Sequence, residues 1–187
     1  MTAEEIIAAI APAVPGATYE ALVSADAAVT PTILVPREHI LATCQALQRP
    51  GLEFVAFSDV TAVDFHPNRV PRFDLVYHLV SPHRRARVRL KVRINAQEAI
   101  DTLSPLYPGA GWPEREVYDL FGIVFDNHTD MRRIMMPEDW EGHPLRKDYP
   151  VQLRKDAQTY MPLQVSEEEF KANMERDRFQ RGSAKPK

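Results

Sequence analysis

Arg85-Ala86-Arg87-Val88-Arg89-Leu90-Lys91-Val92-Arg93-Ile94 decides the fold. Every odd position carries a cation and every even one an alanine or a larger aliphatic. That strict period of two predicts a half-buried antiparallel strand with a cationic outer face. Just upstream, Phe73 to Val80 repeats the pattern, with Phe73, Leu75, Tyr77 and Leu79 on one face. Phe54 to Phe65 reads as a third strand, and His66, Pro67, Asn68 and Pro71 supply the turn between these two. Spacings this short suit a meander rather than helical crossovers.

Working outward, residues 3–10 read as a short helix with Ile6, Ile7 and Ile10 apolar, ended by Pro12, Pro15 and Gly16. Val29 to Val35 is rich in β-branched residues and predicts a strand, at an edge because of Pro31. Pro36 opens a helix through about Gln48, whose Ile40, Leu41, Cys44 and Leu47 share one face, so Cys44 reads as a core thiol. Pro50-Gly51 ends it. On the other side, a short helix is expected around Glu98 to Leu103, then a Pro/Gly-rich stretch from Pro105 to Gly111. Trp112-Pro113 begins another helix with Glu114 and Glu116 in its first turn, Val117, Leu120 and Phe121 as its apolar face and Gly122 as C-cap. Ile123-Val124-Phe125 reads as a brief strand, followed by loop to Pro150. The expectation is an α+β domain over residues 1–150: an antiparallel or mixed sheet of about four strands with helices packed on one face. Residues 151–187 differ, with fourteen charged side chains in 37 residues. Ser166-Glu167-Glu168-Glu169 is a capping box, but Phe170 and Met174 are too few for a core, so this stretch reads as an extended C-terminal arm lying on a neighbour.

Composition narrows the chemistry. With 44% hydrophobic residues in a chain of 187, a sizeable core can be buried. Lys plus Arg is 23 and Asp plus Glu is 26, so the net charge is −3 and no grossly basic protein results. A single cysteine excludes a disulfide framework and an iron–sulfur cluster held by this chain alone. None of the seven glycines forms G-x-G-x-x-G or a Walker loop. The longest early uncharged run, Ile6 to Tyr19, is broken by prolines and falls short of the ~20 apolar residues of a spanning helix. Glu4-Glu5 stands where a secretory leader would be basic, so a cytoplasmic protein is expected, touching membrane only through a partner.

Glu114 to Pro150 is the segment where chemistry could reside. It holds fourteen charged residues and two histidines beside Tyr118, Trp140 and Tyr149. A metal reading would draw on His128, His143, Glu138, Asp139, Glu141 and Asp148, and a metal-dependent hydrolase using His128 and His143 is the enzyme alternative. The spacing matches no H-E-x-x-H or i, i+4 histidine pair. Ser104 and Ser166 lack a G-x-S-x-G elbow. The favoured readings are a loop tied down by ion pairs and a partner interface. The basic strand admits RNA binding as a binding-module alternative, yet it alternates cations with aliphatics and lacks stacking aromatics. A solvated or docking face is the stronger reading.

A family resemblance lies in the same segment. Glu114-Arg115-Glu116-Val117-Tyr118-Asp119-Leu120-Phe121-Gly122-Ile123, Asn127-His128-Thr129-Asp130-Met131-Arg132-Arg133-Ile134 and Met136-Pro137-Glu138-Asp139-Trp140-Glu141-Gly142-His143-Pro144-Leu145-Arg146-Lys147-Asp148-Tyr149-Pro150 closely resemble the thirty-kilodalton subunit of proton-pumping NADH:quinone oxidoreductase, respiratory complex I. Asp59 to Phe65 carries a weaker echo. Thr129 departs from the family's usual proline. The resemblance implies a non-catalytic structural subunit of the hydrophilic arm that binds no cofactor or metal of its own. The complex it implies passes electrons from NADH through FMN and iron–sulfur clusters to quinone, coupled to proton translocation. Implied partners are other hydrophilic-arm subunits, chiefly the large quinone-site subunit and the cluster-bearing subunit beside it, with no nucleic acid. The implied location is the cytoplasmic side of the inner membrane, peripheral. An equivalent subunit of a related membrane-bound hydrogenase or ferredoxin-linked dehydrogenase is the near alternative. The expected interface residues are Glu114, Arg115, Glu116, Arg132, Arg133, Trp140, His143, Arg146, Lys147, Asp148 and Tyr149, with Trp140 and Tyr149 as anchors.

Overall fold

A computed structural model describes residues 1–22, 30–150 and, beyond them, 168, 171 and 172. The chain divides into a unit at Met1–Tyr149 and a second at Pro150–Lys187. Apart from those three helical, exposed residues, the expected arm lies outside the described residues.

The alternating strand forms as its pattern requires. Five strands make one sheet: β1 (Glu20–Leu22), β2 (Thr32–Leu34), β3 (Ala56–Asp64), β4 (Phe73–Ser81) and β5 (Ala86–Ile94), in the order β1-β2-β5-β4-β3. β3, β4 and β5 form the expected antiparallel meander. β2 runs parallel to β5, which makes the sheet mixed. Val88, Leu90, Val92 and Ile94 are fully buried, whereas Arg87 and Arg93 are exposed. Helix α1 (Ala3–Ile10) starts at a reciprocal capping box between Thr2 and Glu5. With α2 (Ile40–Leu47) and α3 (Gly111–Phe121) it closes the core over Phe73, Leu75, Tyr77 and Leu79. The outward side chains of β3 and β5 stay exposed or half-buried, which places the helices on the opposite face. The fold is α+β, as expected.

Several local expectations need correction. The stretch around Glu98 to Leu103 is no helix. Glu98 closes a turn on Asn95, and β6 (Ile100–Asp101) pairs in parallel with β7 (Phe125–Asp126). A stretch this short, with Ile100 and Thr102 β-branched, does not nucleate a helix when the 124–126 backbone offers partners. The strand after Pro31 is not an edge either, since β2 lies between β1 and β5. Pro31 fits because only its carbonyl is used, accepting from Arg89 N–H at 2.9 Å. Arg85 leaves the strand and takes a left-handed conformation (φ 50°) at the end of the hairpin loop, where Ser81 pairs with Ala86.

Candidate functional site

Helix α3 organises the segment that follows it. Asp119 lies in its last turn, where the helix dipole disfavours a carboxylate. Compensation comes from outside the helix. Oδ2 accepts the successive backbone N–H groups of Ile134, Met135 and Met136 at 3.0, 2.7 and 2.8 Å. Oδ1 takes Arg133 Nη1 at 2.5 Å, and the same guanidinium reaches Gly142 O at 3.0 Å. Burial alone would raise the Asp119 pKa, but the Met136 and Met135 amides, Arg133 and the Ile134 amide together hold it below the ordinary carboxylate value. A fully buried side chain on α3 thus fixes four consecutive residues of the loop.

The end of α3 is capped by the same loop. His143 Nδ1 donates to Asp119 O at 2.9 Å, Leu145 N–H donates to Leu120 O at 3.0 Å, and Gly122 N–H donates to Tyr118 O at 2.8 Å. Those are carbonyls the helix leaves unpaired. Gly122 is left-handed (φ 77°), and a Cβ there would meet His143 Cδ2 at 2.6 Å, so glycine is what lets the imidazole close on the cap. Arg115 ties the loop from one turn earlier. It donates to Arg132 O at 2.8 Å and Arg133 O at 3.1 Å and lies 3.6 Å from Asp130.

A second knot joins the loop to the sheet. Asp64 faces inward at the end of β3 with Val60 and Ala62, its side chain wholly buried. Arg72 spans it and Asp148, at 2.6 and 2.7 Å. Lys147 N–H donates to Asp64 Oδ2 at 2.8 Å and His66 N–H to Oδ1 at 2.9 Å. Burial pushes the Asp64 carboxyl up, but Arg72 and the two amides outweigh it and bring it down to about 2. Arg146 also reaches Asp148, at 3.2 Å. Trp140 and Tyr149 stack on each other (6.5 Å, 24°), and Tyr149 Oη donates to Glu141 O at 3.0 Å.

Glu114 belongs inside. Its side chain is 0% exposed, accepting Leu103 N–H at 2.8 Å and Thr102 Oγ1–H at 2.5 Å. It therefore cannot touch a partner, contrary to its place in the expected interface. Burial, only partly offset by Thr102, Leu103 and His128, raises its pKa. A carboxyl that titrates higher when folded stabilises the fold fully below its unfolded value and loses that contribution as pH rises through the folded value. Glu114→Gln is expected to melt close to wild type at pH 4.5 and above wild type at pH 7.5. A Tm deficit of the same size at both pH values, by scanning calorimetry, would refute this.

Both histidines of the segment are bonded to backbone groups. His128 Nδ1 accepts Asp130 N–H at 3.0 Å, which leaves Nε2–H to donate to Gly111 O at 3.1 Å, so both nitrogens are engaged. His143 is committed to the α3 cap. Among the described residues no three His, Cys, Asp or Glu side chains are placed to hold an ion.

Of the expected interface residues, Arg115, Arg133, His143, Arg146 and Asp148 are tied into the frame, and Trp140 and Tyr149 face each other. Glu116, Arg132 and Lys147 are exposed. Pattern reading missed Asp119, Asp64 and Arg72. An acid in a helix's last turn and an acid at an inward strand position were the available signals, since each requires dedicated donors. It also missed the apolar side chains that the frame turns outward. Ile134 is 37% exposed, Met135 61%, Leu145 50% and Trp112 64%.

An α+β domain that closes a charged-aromatic segment into a rigid platform is the class that fold and site define. Residues 33–155 match the family described as respiratory-chain NADH dehydrogenase, 30 Kd subunit. This chain belongs to that family. It is 48% identical over 122 residues to the C subunit of NADH-quinone oxidoreductase from Geobacter sulfurreducens, covering 65% of this chain and 75% of that one. It is 45% identical over 123 residues to the protein of that name from Sinorhizobium medicae, covering 62% of this chain and 61% of that one. Among solved structures, the trypsin-resistant fragment (1–134) of Nqo5 superposes with a TM-score of 0.53 at 29% identity, over 68% of this chain and 94% of the fragment. A chain of the membrane-bound sulfane sulfur reductase, an archaeal respiratory membrane complex, superposes at 0.64 and 25% identity, over 79% and 85%.

Proposed function

We propose that the chain is a docking and scaffolding subunit of proton-pumping NADH:quinone oxidoreductase that performs no turnover itself. Membership in such an enzyme complex, with other subunits of the complex as partners, follows from the family. The finer reading is that it holds the large quinone-site subunit and the cluster-bearing subunit in position, while the complex moves electrons from NADH through FMN and iron–sulfur clusters to quinone. On this reading it binds none of those groups. Its only cysteine, Cys44, is fully buried, which pushes the thiol pKa well up and suits neither a nucleophile nor a cluster ligand. No helix among the described residues is long and apolar enough to cross a membrane. A peripheral place on the cytoplasmic side of the inner membrane is part of the proposal. The likeness to the sulfane sulfur reductase complex supports a second reading, the equivalent position in a related respiratory complex. Asking whether NADH or another donor reduces quinone in the isolated complex separates the two.

The observation that carries the proposal is the outward apolar row on an inwardly bonded loop. Asp119 accepts the amides of Ile134, Met135 and Met136, whose backbone is thereby rigid while Ile134 and Met135 stay exposed. Rigid apolar projections lose little entropy on docking, and methionine adapts to an irregular partner surface. Met135→Asp is expected to leave the isolated chain's Tm within about 2 °C of wild type. In detergent-solubilised membranes it should reduce co-purification of the quinone-site and cluster-bearing subunits at least tenfold, with NADH:quinone activity falling in parallel. Normal assembly and activity with this variant would remove the proposal's main support.

A further inference from the structure

The signature loop occupies one part of the described unit. The outer face of the sheet is a different surface and carries a different chemistry. Its centre is β5, where Arg87, Arg89, Lys91 and Arg93 point outward at every second residue, about 20 Å from first to last. Arg84 and Arg85 continue the ridge into the exposed hairpin loop. Arg93 lies 3.9 Å from Asp74, which Arg69 also engages, and Arg89 reaches Thr32 Oγ1 at 3.5 Å. Arg87 and Lys91 make no ion pair among the described residues.

Guarding an exposed edge does not explain these cations, because β5 lies between β2 and β4 in the middle of the sheet. Lys91 stands opposite Val76 on β4, which is only 6% exposed, and a long stem beside a buried valine accounts for one long side chain but not for four positive charges in a row. The rest of the face selects among polyanions. Alongside the ridge stand Asp74 on β4 and Asp59 on β3, the latter opposite His78. The exposed Asp59 carboxylate would repel a phosphate-dense surface, whereas Asp74 is buried and already held by Arg69 and Arg93. Apart from the His78 imidazole, no outward position of β3, β4 or β5 carries an aromatic ring, so the stack of Phe, Tyr or Trp rings that base binding needs is missing. A protein face can answer both signs at once, with carboxylates against the ridge and a cation against Asp59.

We propose that the outer sheet face is a second docking surface, and that its occupant is an acidic protein face on another subunit of the same complex. The inference rests on the subunit reading above, and its test separates the two. The intact complex is purified, and Lys91 is acetylated in it and in the isolated full-length chain. Acetylation of Lys91 should be at least tenfold slower in the complex. Zero-length carbodiimide coupling should join the Lys91 amine to an Asp or Glu of a second polypeptide identified as a subunit. An Arg87→Glu, Lys91→Glu double variant should fold with unchanged Tm. It should re-enter complexes lacking the chain at least tenfold more slowly at low salt, with the difference narrowing above about 0.5 M as screening sets in. If the complex contains no copy of this chain, the subunit reading fails. If it contains the chain and Lys91 is acetylated equally fast in both states, only the sheet-face proposal fails. Coupling of Lys91 within the chain, or salt-sensitive sedimentation with phosphatidylglycerol vesicles that the double variant loses, would also overturn it.

Discussion

Asp119→Ala should lower the melting temperature by roughly 10 °C or more, for a loss of about 3–5 kcal/mol, and should abolish entry into the complex. The size follows from what the substitution strands. Three successive amides lose their acceptor, and Arg133, whose side chain is 17% exposed, loses its carboxylate. Each buried N–H without a partner costs about 1–3 kcal/mol, partly recovered where water can enter. Asp119→Asn keeps one acceptor oxygen but turns an NH2 group toward donors, so it should fall between alanine and wild type. Calorimetry of the three chains gives the order. An alanine variant melting within 2 °C of wild type would mean that the frame is held elsewhere. The assembly defect separates this residue from an ordinary core position, because Ile134 and Met135 would lose their fixed presentation even in molecules that remain folded.

Arg72→Ala should cost about 3 kcal/mol at neutral pH and change how stability depends on acid. In the wild type Asp64 titrates at about 2 when folded, lower than in the unfolded chain. Such a group stabilises the fold above about pH 4, and that contribution, on the order of 2 kcal/mol, is lost as pH falls toward 2. Without Arg72 the buried carboxyl keeps only the Lys147 and His66 amides, and burial carries its pKa upward. The variant then gains on wild type as Asp64 protonates. The Tm difference should be widest at pH 6–7 and narrow toward pH 3. A gap constant across that range would show that Arg72 acts by packing, for instance through its contact 4.9 Å above the Phe73 ring. Asp148→Ala should cost much less, because that side chain is 41% exposed and shares Arg72 with Asp64.

The two variants mark where pattern reading ends. Alternation exposed β3, β4 and β5 because a half-buried strand must repeat every two residues, and the α3 cap was legible because Gly122 follows the last apolar residue. Parallel pairing of β2 with β5 was not, since register between segments so far apart in the chain leaves no local trace. Within the segment, charge and aromatic density flagged a special region without saying which side faces in. Arg115, Arg133 and Arg146 read as interface residues by type, and each proved to bond within the chain.

The sequence alone determined the sheet's two-faced strands, the bounds of α1 and the Gly122 stop of α3, the absence of a phosphate loop or multi-cysteine site, and the family. Those follow from periodicity, capping and residue type, which are local properties of a chain. Tertiary structure decided that Asp119 gathers amides fifteen to seventeen residues away, that Asp64 and Asp148 share one arginine, and that Met135 rather than Trp140 projects outward. Each depends on three-dimensional closure, where a buried charge must find donors wherever the fold brings them. Those distances are set by packing and cannot be read from spacing along the chain.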